Sequence, residues 1–517
     1  MTDLVIFHYH FLPGGVTDVV TSALISYLNH SKGISCIKVV SGRLQNLDII
    51  KNKIMSAVPE TKMLSLTFEV FPYIDYVEKI DTDINAEILQ RELESRYSLD
   101  KNVWWIHNYH LGKNPIFTKA LLNILHTSQQ RMVFQIHDFP ECSRYALLNR
   151  LKEYIKDDFY PQNNNVKYVV INNRDRQNLI NAGMNKNSVF LLENPIQLVN
   201  WTCESQSKTL VTLSKKWTES FPSWKKNEKY MLYPVRAIRR KNIAEAALLA
   251  TLSEKNLIIT LPGISETEKK YSEKCKKIFS EGLTPGMFGI GINIESNGLS
   301  FKDLITASSL ILSSSIQEGF GYLYLNSMNW GKPLLAKDLD ILSSFKKSFT
   351  GFPSYFYEKL SVPINLENRK DLLEQYLKKF NNLKSQMNHK IISDLKEKII
   401  SIFNEEYVDF SYLSLDEQIN VLHRIKNEND YREKCKKINI FLINKLNSLI
   451  VRETIPSHKT LQENWSLKSY SIKSEKIVNS FTNEPIYLVE NLKDLFIYET
   501  MLLNFADPQY LRLLYDE

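Results

Sequence analysis

The feature that most restricts the fold is a regular alternation of short apolar runs with longer amphipathic runs. In the first 200 residues, buried strands are predicted by LVIFHYH, SCIKVVS, NVWWIHNYH, RMVFQIHD and KYVVINN. Patterns such as TDVVTSALISYL and NPIFTKALLNILHT, which lie between these runs, predict amphipathic helices. Strands that alternate with helices form parallel sheets, because each helix returns the chain to the same end of the sheet. The sequence therefore predicts an α/β fold.

A second series of the same kind follows a break in the pattern. The stretch 201–229 is polar, basic and punctuated by Trp, which is typical of a connection between domains. Strands are then predicted within KYMLYPVR, NLIITLPG, DLITASSLILSSS and KPLLAKD. From about residue 420 the chain becomes helical and charged. A chain of 517 residues is also too long for a single core. We therefore expect α/β domains at 1–200 and 230–419, the connection at 201–229 and a helical extension at 420–517.

The composition is that of a globular cytoplasmic protein. The formal charge of +7 comes from lysines spread along the chain, so it suits a small anionic ligand and does not require nucleic acid, which we do not expect as a partner. The cysteines are odd in number and lack metal-ligand spacing, which favours reduced thiols: Cys36, Cys142, Cys203, Cys275 and Cys435. No apolar run approaches the roughly 18 residues of a membrane span. We expect a soluble protein with at most peripheral membrane association.

Basic residues follow the first strand of the second domain. The strand YPVR continues as AIRRKN, so that Arg236, Arg239, Arg240 and Lys241 all lie at or just beyond its end. Open α/β sheets bind ligands at the ends of their strands, and fixed cations suit a diphosphate because they neutralise its charge. A solvated basic turn explains the same residues about equally well.

Two glycine-bearing turns connect strands to helices. LPGGVTDVV places Gly14 and Gly15 before the first helix, where backbone N–H groups can approach an anion. QEGFGYLYLN places Glu318 before Gly319 and Gly321, so a carboxylate can accept hydrogen bonds from ligand hydroxyls while the adjacent amides face negative charge. A glycine turn without a ligand and an ordinary helix start are the alternatives.

Polar residues also end two strands of the first domain. NVWWIHNYH and RMVFQIHD bring His107, His110, His137 and Asp138 to these strand ends. Ligand binding at strand ends makes all four candidates. Taken singly, each histidine is more readily explained as structural.

In this order, the motifs resemble those of the retaining glycosyltransferases of the GT-B fold, chiefly family 4 and the trehalose-phosphate synthase type. Arg236 and Lys241 match the spacing of the basic pair of family 4, and EGFGYLYLN is similar to its Glu and Gly-Phe-Gly motif. VWWIHNYHLGKNP resembles the HDYH segment of the trehalose-phosphate synthases. VFQIHDFPE resembles the strand of these families whose His contacts the transferred sugar, and PGGV resembles their first glycine loop. The resemblance covers about residues 1–400 and implies two Rossmann-like domains that face a cleft containing the active site.

The resemblance also implies roles for individual residues. Arg236 and Lys241 would stabilise the departing diphosphate, while Glu318, His137 and the amides of the Gly-Phe-Gly turn would orient the sugar. The donor-binding residues would be Gly14, Gly15, Phe320, Gly321, Tyr322 and Asn326. The acceptor side would carry His107, Asn108 and Asp138.

Two asparagines depart from the motifs of these families. Asn326 stands where family 4 has a second Glu that is thought to accept hydrogen bonds from both ribose hydroxyls of the donor nucleotide. Asn108 replaces the Asp of the HDYH segment. The first departure bears on the affinity for the nucleotide or the choice among nucleotides.

The resemblance implies an enzyme that transfers a hexose from a nucleotide-diphosphate sugar to a hydroxyl acceptor with retention of configuration. We expect no metal or other cofactor, because the fixed cations would do what a divalent ion does elsewhere and no Asp-x-Asp motif ends a strand. The acceptor could be a glycan, glycoside, lipid or protein. The alternative is a catalytically silent GT-B protein that serves as a carbohydrate-binding or partner subunit, and 420–517 is a candidate surface for a protein partner. A nucleotide-sugar epimerase would need other signatures, and a phosphorylase a pyridoxal lysine site that the sequence lacks.

Overall fold

The computed structural model describes residues 2–78, 85–98, 102–199, 206–385, 387–452, 454–481 and 496–515. Cys203, the start of the predicted connection and part of the predicted extension lie outside these ranges. The chain forms two compact units, and each consists of two segments. Unit 1 is Met1–Gln197 with Gln462–Phe505, and unit 2 is Leu198–Leu461 with Ala506–Glu517.

The elements of both units are numbered along the chain. The strands are β1 (Thr2–His8), β2 (Ile34–Ser41), β3 (Leu66–Val70), β4 (Val103–His107), β5 (Arg131–Ile136), β6 (Val166–Val170), β7 (Val189–Leu191), β8 (Tyr230–Arg236), β9 (Asn256–Leu261), β10 (Gly286–Phe288), β11 (Leu310–Ser313), β12 (Leu334–Lys337), β13 (Ser354–Tyr357), β14 (Ser361–Pro363) and β15 (Tyr407–Asp409). The α-helices are α1 (Gly15–His30), α2 (Leu47–Met55), α3 (Glu60–Met63), α4 (Ala86–Tyr97), α5 (Pro115–Thr127), α6 (Tyr145–Tyr154), α7 (Asn173–Asn181), α8 (Gln206–Trp217), α9 (Ile243–Ser253), α10 (Glu266–Ser280), α11 (Phe301–Ala307), α12 (Tyr322–Trp330), α13 (Leu366–Asn382), α14 (His389–Asn404), α15 (Leu415–Asn427), α16 (Asn429–Ile438), α17 (Ile440–Ile450), α18 (His458–Trp465), α19 (Leu467–Val478) and α20 (Ile497–Asn504).

Each unit is built on a parallel sheet of Rossmann type. Unit 1 has the strand order β3-β2-β1-β4-β5-β6-β7, and unit 2 has the order β10-β9-β8-β11-β12-β13. The order reverses beside β1 in unit 1 and beside β8 in unit 2. At such a switch point the neighbouring connections run to opposite faces of the sheet, which leaves a crevice at the carboxyl ends of the strands. The predicted α/β fold with two Rossmann-like domains is confirmed.

Within the two parallel sheets, the strands that the sequence did not single out lie at the edges. These four are β3, β7, β10 and β13. The central strands β4 and β6 are buried along their whole length, as expected where helices cover both faces, and they stand out as apolar runs. The edge strands are short, as in β7 and β10, or partly exposed, as in β3 and β13, so their sequences lack a continuous apolar run.

The two units divide the chain differently from the predicted domains. The predicted connection at 201–229 contributes α8 to unit 2, where it packs against α11. The predicted extension at 420–517 is mainly helical in its described residues, but it is not a separate body. Within unit 2, α15 and α17 pack against α9, and within unit 1, α19 packs against α1 and α20 against α7. The apolar faces of these helices are buried against elements that are distant in sequence, which the local pattern does not reveal.

A buried ionic network stabilises the sheet of unit 2 beside the candidate site. Lys337, at the end of β12 and 2% exposed, lies 3.0 Å from the fully buried Glu245 of α9 and 3.2 Å from Asp409. Glu245 also accepts hydrogen bonds from the Tyr357 hydroxyl at 2.8 Å and from the Asn242 amide at 2.6 Å. Buried charges are tolerated only when they are paired and hydrogen-bonded in this way.

Replacement of Lys337 by methionine should therefore destabilise unit 2 strongly. Lys337→Met keeps most of the side-chain volume but leaves two carboxylates without their cation, and loss of one partner of a buried pair costs about 3–5 kcal/mol. Urea unfolding followed by circular dichroism should show this loss. The control Lys269→Ala, which breaks an exposed and solvent-screened pair with Glu266, should change stability much less. Equal losses for the two variants would contradict the prediction.

Candidate functional site

The loops that follow β8 and β11 are bound to each other at the switch point of unit 2. The Tyr233 hydroxyl donates to the carbonyl of Lys241 at 3.0 Å and lies 2.7 Å from the hydroxyl of Ser315. The Ser314 hydroxyl donates to the carbonyls of Lys241 and Asn242 at 3.1 and 2.9 Å. These hydrogen bonds fix the two loops relative to each other, so the side chains that they carry also meet.

Glu318 is the carboxylate on which the basic residues converge. Lys241 contacts one carboxylate oxygen, and Arg240 donates to the other at 2.7 Å. Burial alone would raise the pKa of Glu318, but the charges of Lys241 and Arg240 outweigh burial and lower the pKa to about 2. Glu318 is therefore ionised at neutral pH and neutralises one of the two positive charges.

Arg236 lies near this group but binds a different carboxylate. It ends β8 and approaches Glu268 of α10 at 3.6 Å, while its charge still acts on Lys241. A single 3₁₀ turn, Arg239–Lys241, directs Arg240 toward the β11 loop instead. Arg240 is thus a residue of the site that sequence reasoning did not select. The spacing of charges in AIRRKN does not show which arginine the turn will present.

The Gly-Phe-Gly turn leads from β11 into α12. Gly321 has a φ of 89°, and a Cβ there would lie 2.7 Å from the ring of Tyr324, so this position requires glycine. The helix begins at Tyr322 and has no side-chain cap at its N-terminus. Helix N-termini carry N–H groups without intrahelical partners and a partial positive charge, so this end of α12 suits an anion.

Three more of the predicted donor-binding residues lie on this turn and on the first turns of α12. Phe320 is 4% exposed, and its ring packs edge-on against that of Tyr322 at 5.0 Å, so its backbone is the part that a ligand could reach. Asn326 lies one helical turn after Tyr322 and is half-buried. Its side chain has no hydrogen-bond partner within the described residues. Its predicted contact with ribose stays a prediction.

The end of the chain packs against the loop that carries Glu318. Arg512, 6% exposed, donates to the carbonyl of Ile316 at 3.5 Å, and the Tyr515 hydroxyl donates to the side chain of Gln317 at 3.1 Å. The segment therefore positions the two residues that precede Glu318. These partners are almost 200 residues apart in the sequence, so no local pattern could have predicted the contact.

Three buried histidines lie at the switch point of unit 1. His8 ends β1, His107 ends β4 and His137 follows β5. The Nδ1 atom of His107 lies 2.9 Å from Nε2 of His137, and the rings of His8 and His107 are 5.9 Å apart. Burial lowers the pKa of all three, to about 3 for His8 and about 4 for His137. They are therefore neutral at pH 7, and they can hydrogen-bond a hydroxyl but carry no charge.

Asn108 holds the neighbouring turn together. It has a φ of 53°, and its side-chain oxygen accepts hydrogen bonds from the backbone N–H groups of His137 at 2.8 Å and Asp138 at 3.4 Å. An aspartate would accept the same bonds, so the substitution within the HDYH-like segment preserves them. Asp138 itself accepts a hydrogen bond from Arg144 at 3.0 Å. His110 is fully buried among aromatic rings.

Gly14 directly precedes α1 and Gly15 is its first residue, so both lie at the helix start that follows β1, as the sequence predicted. Neither backbone conformation requires glycine, since Gly14 is extended and a Cβ on Gly15 would meet no atom within 4 Å. The N-terminus of α1 has no side-chain cap. The approach of these amides to an anion stays a prediction.

The described residues contain neither a candidate metal site nor a helix that could span a membrane. In this part of the chain, no group of three or more His, Cys, Asp or Glu side chains is arranged to hold a metal ion. No helix within the same residues combines the length and the apolar character needed to cross a bilayer.

No family model matches the chain. A mannosylglucosyl-3-phosphoglycerate synthase from Petrotoga mobilis is 28% identical over a 532-residue alignment that spans all of both chains. Among solved structures, a glycosyltransferase from Rickettsia africae is 13% identical, with 93% of this chain and 99% of that chain covered and a TM-score of 0.49. The Anabaena protein HepE in complex with UDP-glucose is 9% identical, with 93% and 100% covered and a TM-score of 0.49.

The chain is thus similar to a sugar-transferring synthase over its full length. Its two Rossmann-like units agree with the GT-B fold of the proteins that the motifs resemble. This agreement rests on the strand order of the two sheets.

The Glu318 contacts predict a stability difference that depends on pH. Glu318→Gln removes the carboxylate. In the wild type, the shift of the Glu318 pKa from 4.5 to about 2 corresponds to about 3 kcal/mol of folding stability. A group whose pKa is lowered on folding stabilises the protein above its unfolded pKa, and this contribution disappears as the pH falls toward the folded pKa. The difference in unfolding free energy between wild type and Glu318→Gln should be constant between about pH 5 and pH 7 and shrink from pH 5 toward pH 2. Above pH 7 a second group contributes, because burial lowers the pKa of the partner Lys241 to about 8.

Urea unfolding at a series of pH values measures this difference. Glu266→Gln is the matched control, because its carboxylate is 86% exposed and its replacement should change stability little at any pH. A difference between wild type and Glu318→Gln that does not vary with pH would exclude an ionised Glu318 as its source.

Proposed function

We propose that the protein is a glycosyltransferase that moves a hexose from a nucleotide-diphosphate sugar to a hydroxyl acceptor, with retention of configuration and without a metal ion. The observation that carries the proposal is the contact of Arg240 and Lys241 with Glu318 at the switch point of unit 2, directly before the N-terminus of α12. This arrangement combines cations, helix-end amides and an ionised carboxylate within one loop pair. A sugar diphosphate requires these three kinds of group.

The cations would act on the leaving group. Cleavage of the bond between the anomeric carbon and the diphosphate builds negative charge on the departing oxygens. Lys241 and Arg240 are held in place before the reaction, so they can stabilise this charge without reorganisation. Fixed cations can also replace a divalent ion, and they support the proposal that no metal is needed. Arg236 would add a third charge from the end of β8.

Glu318 would bind the sugar and not transfer a proton. A carboxyl group with a pKa of about 2 stays ionised at neutral pH, so it accepts hydrogen bonds from sugar hydroxyls and is a poor general acid. In the proposed retaining mechanism, the acceptor hydroxyl attacks the face from which the diphosphate leaves and gives its proton to a donor phosphate oxygen. No protein nucleophile is then required. The neutral His137 would contact the sugar only through hydrogen bonds.

The name of the Petrotoga relative supports the reaction class. It describes a synthase whose product joins mannosyl and glucosyl groups to 3-phosphoglycerate. We therefore take the donor to carry a hexose such as mannose, and the acceptor to be a small sugar-containing compound. The 28% identity extends over the whole of both chains, so it covers the segments that carry Lys241 and Glu318.

A catalytically silent protein with the same fold is the second candidate, which the two asparagines favoured. Asn108 supports it no longer, because its amide oxygen makes the backbone contacts that an aspartate would make. Asn326 still favours it, since its side chain has no hydrogen-bond partner within the described residues. The retained cations beside Glu318 favour an active enzyme.

Incubation with a panel of nucleotide sugars and acceptors in excess chelator tests the proposed function. We expect a glycoside whose anomeric configuration, read by proton NMR, matches that of the donor. Lys241→Gln and Arg240→Gln should each lower turnover by at least a hundredfold, because each removes a charge that stabilises the leaving group. The control Lys269→Gln, on the exposed face of α10, should leave turnover unchanged.

An inverted product would refute retention, and activity that is lost in chelator and restored by magnesium or manganese would refute metal independence. Binding of the nucleotide sugar without hydrolysis or transfer in any combination would favour the silent protein.

Replacement of Asn326 tests the predicted ribose contact. Asn326→Glu should tighten binding of the free nucleoside diphosphate about tenfold, because a carboxylate accepts two hydroxyl hydrogen bonds more strongly than one amide oxygen does. The gain should appear in affinity more than in turnover, since ribose contacts change little between the ground and transition states. Titration calorimetry measures the affinity. Unchanged affinity would remove Asn326 from the donor site, and weaker binding would mean that its amide donates to the ligand.

A further inference from the structure

A group of cations in unit 1 has no role in the reaction proposed above. Lys113 lies in the loop after β4, Arg144 directly precedes α6, and Arg150 lies within that helix. We call these three residues the basic cluster. Burial lowers the pKa of Lys113, and the charges of Arg144 and Arg150 lower it further. Folding has thus brought like charges together at an energetic cost.

Backbone packing explains why these residues meet. Gly112, with a φ of 73°, lies so close to α6 that a Cβ would approach the carbonyl of Leu147 to 2.4 Å. Arg150 follows Leu147 by three residues and therefore shares its face of the helix. Lys113 follows Gly112 directly. A close approach of the loop to the helix, which depends on glycine, thus places Lys113 beside Arg150.

Of the three charges in the basic cluster, only that of Arg144 is paired with a carboxylate within the described residues. Asp138 accepts a hydrogen bond from Arg144 at 3.0 Å and compensates that charge. Lys113 and Arg150 form no ion pair within the described residues. The Nη2 atom of Arg150 is buried and has no hydrogen-bond partner there. Two positive charges and one buried donor therefore remain available to a ligand.

The surroundings of Lys113 supply an aromatic wall and further donors. The Nζ atom lies 5.3 Å from the centre of the Tyr76 ring, which in turn lies 4.5 Å from the ring of the half-buried His10. The neighbouring carboxylate of Asp75 is taken by Arg43, which donates to it at 2.8 Å. The Asp75 carboxylate therefore does not compete with a ligand for the charge of Lys113.

We propose that the basic cluster binds a phosphate monoester on the acceptor. The two negative charges of a phosphate dianion would balance the positive charges of Lys113 and Arg150. A guanidinium also fits phosphate oxygens better than it fits water or a hydroxyl. The assignment of this phosphate to the acceptor rests on the proposed transferase function, whereas binding of the anion does not. The hydroxyl that receives the sugar then belongs to the same phosphorylated molecule.

Titration calorimetry of the full chain with 3-phosphoglycerate, in the absence of any donor, tests the proposal. The wild type should bind it, and the neutral analogue glycerol at the same concentration should give no signal. The double variant Lys113→Gln and Arg150→Gln should lower the affinity at least tenfold. Arg150→Lys, which keeps the charge, should lose less than threefold. Lys156→Gln removes a charge from an exposed position just beyond α6 and should change nothing.

Absence of 3-phosphoglycerate binding to the wild type, or equal binding by the double variant, overturns the proposal. Circular dichroism identifies a variant that has not folded, and the single replacements then carry the same test. The outcome is independent of the transfer reaction. Binding of 3-phosphoglycerate without sugar transfer would support the anion site and refute the transferase. Transfer to neutral acceptors by both wild type and double variant would support the transferase and refute the role of the anion site.

Discussion

The contact of Lys241 and Arg240 with Glu318 is the interaction on which the candidate donor site depends, and the strand order of one sheet makes it possible. The two loops are 77 residues apart along the chain and meet because β8 and β11 are neighbours where the order reverses. Without the two cations, Glu318 would be a buried carboxylate at a cost of several kcal/mol. Hydroxyl bonds from Tyr233 and Ser314 fix the loops before any ligand arrives. The site is therefore preorganised by groups that touch no substrate.

Burial disfavours the charged form of the site residues in both units, but only in unit 2 do neighbouring charges outweigh it. In unit 1 it lowers the pKa of His8, His107 and His137 and leaves them neutral. In unit 2 the paired cations overcome burial and keep Glu318 ionised. Neither the neutral imidazoles nor this carboxylate can shuttle a proton near pH 7, because a proton carrier needs a pKa near the working pH. The proposed retaining mechanism needs none of these groups as a proton carrier, because the acceptor hydroxyl gives its proton to a donor phosphate oxygen.

The sequence predicted what local patterns determine. Central strands are recognisable as apolar runs. The turn before α12 is recognisable from Gly321, because its left-handed backbone conformation needs a glycine. The choice between Arg236 and Arg240 depends on the direction of a single 3₁₀ turn, which the spacing of charges does not reveal. The support of the Glu318 loop by Arg512 and Tyr515 depends on where the end of the chain packs, and this is a property of the whole fold.

The two asparagines that depart from the motifs show why a substitution cannot be judged from its residue type alone. At Asn108 the acceptor oxygen is the part that matters, because backbone N–H groups of the protein itself bind it, and an amide provides that oxygen as well as a carboxylate does. Asn326 has no such partner within the described residues, so only a ligand can give its side chain a role. The first substitution is therefore neutral for the fold. The effect of the second depends on the ligand. A neutral amide both donates and accepts hydrogen bonds, so it selects a different pattern of nucleotide groups from that selected by a carboxylate.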